Sequence, residues 1–164
     1  MASKRRILLV LGRSVDLKHL MSNLRERSRL GPSCFTLLVP AVPRGLAWAA
    51  DMTAGWTDAI VRAEATAGLI REAGIELDDV VVGDPDPFAA AGDVLHGGRF
   101  DEVVISTLPH GLTRRLHLSL PERLRRSFGV EVSELTPQRV ASSTRFRRIT
   151  RHDRAEYDRL LTTR

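Results

Sequence analysis

The chain contains a single cysteine, Cys34, so no internal disulfide can staple it, and it offers no Cys pair or Cys/His cluster with the spacing of a structural zinc site. Lysine is almost missing. Only Lys4 and Lys18 are lysines, and arginine supplies the rest of the 25 basic residues, a skew that reads as the codon bias of a GC-rich bacterial genome filling ordinary surface positions. Aromatic residues make up only 5% of the 164 residues. No apolar run approaches the roughly 18–20 residues of a membrane span, and Ile7 to Leu11 stops at Gly12-Arg13, too short for the apolar region of a signal peptide. These absences point to a cytoplasmic protein with no membrane partner.

What remains is a globular balance of 43% hydrophobic and 27% charged residues in a length typical of one domain. The charge is unevenly placed. Residues 1–120 carry equal numbers of acids and bases, whereas residues 121–164 carry 11 basic against 6 acidic residues. The sequence therefore divides into an α/β domain over 1–136 and an arginine-rich C-terminal tail over 137–164, with Arg154 to Leu161 able to form a short amphipathic helix.

Five short apolar runs alternate with helical patterns. Ile7 to Leu11, Phe35 to Val39, Val80 to Val82 and Glu102 to Ser106 are continuous enough to be buried on both faces, while Val130 to Leu135 alternates and suits an edge. Asp16 or Ser14 caps a first helix with Leu17, Leu20, Met21 and Leu24 inward. Thr57 or Asp58 opens a second with Ile60, Ala63, Ala67 and Ile70 inward, closed by Gly74. Asp86-Pro87 starts a third on Phe88, Ala91 and Leu95, stopped by Gly97-Gly98. Ser119 with Glu122 three residues later forms a capping box for a fourth. Alternation of this kind implies a parallel sheet with right-handed crossovers and helices on both faces, a Rossmann-like fold with strand order 3-2-1-4-5. Ligands of such sheets bind beyond the carboxyl ends of the strands, where the order reverses. The expected crevice is walled by Gly12, Arg13 and Ser14 on one side and by the segment from Ser106 to Ser119 on the other.

Within this frame the chain resembles the universal stress protein family over about Arg5 to Leu135. Three places carry the likeness: the opening Ile7-Leu8-Leu9-Val10-Leu11 strand, Gly83-Asp84-Pro85 after the third strand, and Gly111-Leu112-Thr113-Arg114 leading to Ser119 and Glu122. The resemblance implies a nucleotide-binding-like fold, a role in stress response, a homodimer formed at the fifth strand through Val130, Val132 and Leu135, and ATP or another adenine nucleotide as the family's ligand. The crevice at the strand reversal makes Gly12, Arg13, Ser14, Ser106, Thr107, His110, Gly111, Arg114 and Ser119 the candidate ligand contacts. ATP-binding members carry Gly, two residues, Gly, nine residues, then Gly-Ser or Gly-Thr, because glycine lets backbone amides approach phosphates. With Ser119 aligned to the final hydroxyl residue, those glycines fall on Ile105, Leu108 and Leu118, and the family's acidic residue after the first strand falls on Gly12. ATP is therefore expected to bind weakly or not at all.

Catalytic signatures are missing: there is no Walker phosphate loop, no Gly-x-Gly-x-x-Gly turn after the first strand and no Gly-x-Ser-x-Gly elbow. The expected role is a regulatory or ligand-responsive module without turnover and without a metal, the Asp84 and Asp86 carboxylates serving as turn and cap residues. Trp48 and Trp56 are expected to close the core over the second helix, and Cys34 to be an unreactive thiol. The alternative is a binder of nucleic acid or an acidic partner, in which Arg145, Arg147 and Arg148 around Phe146 neutralise phosphates while the ring stacks on a base.

Overall fold

A computed structural model describes residues 4–12, 15–42, 52–106 and 119–135. Five strands, β1 (Arg5–Leu11), β2 (Ser33–Pro40), β3 (Leu77–Gly83), β4 (Glu102–Ser106) and β5 (Glu131–Leu135), form one sheet in the order β3-β2-β1-β4-β5. Every neighbouring pair is parallel. The helices that connect them are α1 (Leu17–Leu30), α2 (Met52–Glu72), α3 (Pro87–Gly97) and α4 (Leu120–Phe128). The expected order and alternation are thus observed.

Because successive strand side chains point to opposite faces, each strand feeds two cores. Ile7, Leu9 and Leu11 of β1 pack with Phe35, Leu37 and Val39 of β2 under Leu20 and Leu24 of α1 and Ala63, Ala67 and Ile70 of α2. Leu8 and Val10 pack with Leu38, Val103, Ile105 and Val132 under Ala90 and Ala91 of α3 and Leu124 of α4. Each large side chain removed from water contributes about 1.5–3 kcal/mol, and the central strands supply most of them.

Local chemistry sets the helix starts. Asp16 caps α1 by accepting the His19 N–H at 3.0 Å. Asp84 Oδ1 accepts the Asp86 N–H at 2.7 Å, and Asp86 Oδ1 accepts the Phe88 N–H at 3.1 Å, so both carboxylates hold the turn into α3 as expected. Glu122 Oε2 accepts the Ser119 N–H at 3.1 Å at the start of α4. Gly74, at φ +70, and Gly129, at φ +61, end α2 and α4 in the left-handed region that favours glycine.

Three expectations are corrected. Helix α2 begins at Met52, before the proposed Thr57 or Asp58 start. Ala63, Ala67 and Ile70 face inward as expected, but Ala59 takes the place given to Ile60, which stands 44% exposed at the margin of the stripe. Trp56 lies outside the core at 39% exposure, and Trp48 lies outside the described residues. On α3, Phe88 and Leu95 are only partly buried, and Ala90 and Ala91 make the closest approach.

At the amino end of the sheet, Glu102 is buried at 1% exposure. Arg27 of α1 donates from Nη1 to its carboxylate at 2.7 Å and from Nη2 to Ser133 Oγ at 2.9 Å, while Ser133 donates to Glu102. Arg5 stands 3.3 Å from the same carboxylate and 2.7 Å from Glu131. A buried carboxylate is tolerated because three elements, α1, β1 and β5, bring it donors. Cys34, nearby on β2, is free, and its thiol is pushed up by burial first and then by the Asp78 and Glu76 carboxylates, which disfavours the reactive thiolate.

Candidate functional site

The carboxyl ends of the strands are where this topology leaves room for a ligand. From β1 the chain moves through β2 to β3 on one side, then returns to β4 and β5 on the other, so the reversal falls between β1 and β4. Gly12 and Ser106 meet there. The Gly12 N–H donates to the Ser106 carbonyl at 2.8 Å, and Ser106 is buried at 4% exposure. Ser119, the cap of α4, is the third expected contact that is described. Arg13, Ser14, Thr107, His110, Gly111 and Arg114 lie outside the described residues, as do Arg145, Arg147 and Arg148 of the tail.

Ile105, one of the aligned motif-glycine positions, is 3% exposed within β4 and packs into the core beneath α3 and α4. Its side chain fills space on the α3/α4 face. Leu108 and Leu118, at the other two positions, lie outside the described residues.

Sequence reasoning missed Arg62. On α2, this residue extends its guanidinium over the ends of two strands, donating from Nη1 to the Gly12 carbonyl at 3.1 Å and from Nη2 to the Pro40 carbonyl at 3.4 Å. One turn earlier, Asp58 stands 3.4 Å from Arg62 Nε. The Arg62 side chain is 19% exposed and that of Asp58 29%, so the pair is largely enclosed. The i, i+4 spacing of Asp58 and Arg62 was a readable signal. The carbonyls, 50 and 22 positions away in the chain, were not.

Among the described residues no group of three or more His, Cys, Asp or Glu side chains is placed to hold a metal ion, and no helix is long and apolar enough to cross a membrane. The partner expectation at β5 meets a specific arrangement. Val132 and Leu135 are each 6% exposed and belong to the protomer's own two cores, and Val130 packs against the second of them. Among the described residues β5 is the last strand of the sheet, so its outer backbone edge carries no further strand there.

Solved structures share this arrangement at low sequence identity. A universal stress protein family protein from Arabidopsis thaliana, solved with AMP bound, is 12% identical, with 85% of this chain and 97% of that chain covered at a TM-score of 0.55. The universal stress protein UspA from Lactobacillus plantarum is 14% identical, with 82% and 99% covered at a TM-score of 0.53. The chain has the fold of the universal stress proteins. No protein-family model and no curated protein matches it in sequence. The fold is thus shared at 12–14% sequence identity.

Proposed function

We propose that the protein is a universal stress protein-like module that responds to a small ligand held at the carboxyl ends of β1 and β4, without turnover and without tight ATP binding. The observation that carries this reading is the meeting of Gly12 and Ser106 at the point where the strand order reverses. The AMP bound to a neighbour of the same fold supports an adenine nucleotide or a ligand of related size as the starting class. Against tight ATP binding stand Gly12, which has no side-chain oxygen to meet a ribose, and Ile105, which belongs to the core where a phosphate loop would call for glycine. A second copy pairs through the open backbone edge of β5, because Val132 and Leu135 are already committed inside the protomer. A stress role and a cytoplasmic location belong to the same reading.

Native mass spectrometry of the full chain, purified without added nucleotide, tests the ligand. A retained small molecule that is lost in Ser106→Phe, with folding preserved by circular dichroism, is the expected result. A molecule retained equally by that variant, or none retained and none bound from a nucleotide panel, contradicts the reading.

A further inference from the structure

The seam between β1 and β2 has an unusual end. The last strand pair is Val10 with Leu38, and beyond it the backbone donors turn away from the seam. Gly12 gives its N–H to Ser106 on the β4 side, and Ala41 gives its N–H to Gly83 on the β3 side. Pro40 has no N–H to give. Among the described residues at the two strand ends, neither the Gly12 nor the Ala41 amide faces the seam, and backbone carbonyls in such a place take a donor.

Arg62 supplies it. Its planar fork reaches the Gly12 and Pro40 carbonyls together, a geometry that a lysine ammonium cannot reproduce with fixed donors. The side chain starts on α2, which packs on β2 and β3, and Asp58 lies against Nε. The guanidinium is therefore positioned from one helix, oriented by a carboxylate on that same helix, and set across the two strand ends. A base or sugar approaching these ends meets carbonyls that already have charged donors and a volume already filled.

We propose that Arg62 is a specificity-determining residue that plugs the β1–β2 side of the crevice against nucleosides, leaving the β1–β4 side at Gly12 and Ser106 for the ligand. The proposal rests on the reading of the crevice as the ligand site. It ascribes the exclusion of nucleosides from the β1–β2 side to a side chain that is present, in addition to the motif residues that are missing.

The test is AMP binding by calorimetry to the full-length protein, its Arg62→Ala variant and its Arg62→Lys variant, with amide shifts of Gly12, Ala41 and Ser106 followed by NMR. Arg62→Ala is expected to bind AMP at least tenfold tighter than wild type, with shifts at Gly12 and Ala41, and Arg62→Lys to fall between them. If Arg62→Ala does not fold, Arg62→Met, which keeps an apolar stem over α2, serves the same comparison. A folded variant that binds AMP no better than wild type overturns the plug. It leaves the crevice reading standing where the wild-type ligand still shifts Ser106. Tighter AMP binding that moves none of the three amides places AMP elsewhere and overturns both.

Discussion

The two ends of the sheet answer the same physical problem in different ways. At the amino end, β1, β4, β5 and α1 meet around Glu102, whose buried carboxylate is surrounded by Arg27, Arg5 and Ser133. At the carboxyl end, backbone groups meet backbone groups, and Arg62 is the side chain that crosses between strands. One end is closed by a side-chain ion cluster that depends on each of its members. The other, among the described residues, is joined by backbone contacts of Gly12, Ser106, Ala41 and Gly83 and bridged by one guanidinium. The difference teaches that in this chain the ion cluster and the two apolar cores hold the sheet, while the carboxyl end is joined mainly through backbone groups.

The largest expected effect comes from breaking the closed end. Arg27→Ala leaves Glu102 buried with its main donor gone, and it should cost about 3 kcal/mol in urea denaturation. Replacing both residues by methionine should cost less than the single change, because no buried charge is then stranded. A loss below about 1 kcal/mol for Arg27→Ala would show that Arg5 alone sustains the cluster, and the contrast between the two ends would fail.

Next in size is a steric change at the other end. A Cβ added at Gly83 would meet the Ala90 Cβ at 2.8 Å and Leu38 Cδ1 at 3.0 Å, so Gly83→Ala must push α3 away from β3. The expected cost is about 1–3 kcal/mol, as for overpacked cores. Thermal unfolding that is unchanged would mean α3 yields freely there.

The smallest is Asp86→Ala, which removes the acceptor of the Phe88 N–H at the start of α3 and should cost about 1 kcal/mol. A loss as large as that of Arg27→Ala would place a main stability determinant at the carboxyl end.

How much of this was legible in the sequence follows from the range of each interaction. The bounds of β4 and the start of α3 were readable because an apolar run and an Asp-Pro step act locally. The strand order followed from alternation, since a parallel sheet with right-handed crossovers admits few arrangements. The face of α2 was readable at Ala63, Ala67 and Ile70 but not at its first turns: Ala59 carries little apolar contrast against the exposed Ile60, Val61 and Trp56. The ion cluster at Glu102 was not readable, because Arg27 and Ser133 lie 75 and 31 positions from it. For the candidate site, topology alone placed Gly12 and Ser106 at the strand reversal, where their backbones meet. Arg62 escaped because its partners are carbonyls, which every residue carries and no pattern marks.

The central claim is that the carboxyl end keeps the crevice of this fold while lacking the contacts that hold ATP tightly. A calorimetric titration of the full-length protein with ATP tests it most directly. The account predicts a dissociation constant well above about 1 μM, or no measurable heat, and a value at or below about 1 μM, equivalent to roughly −8 kcal/mol, would contradict it.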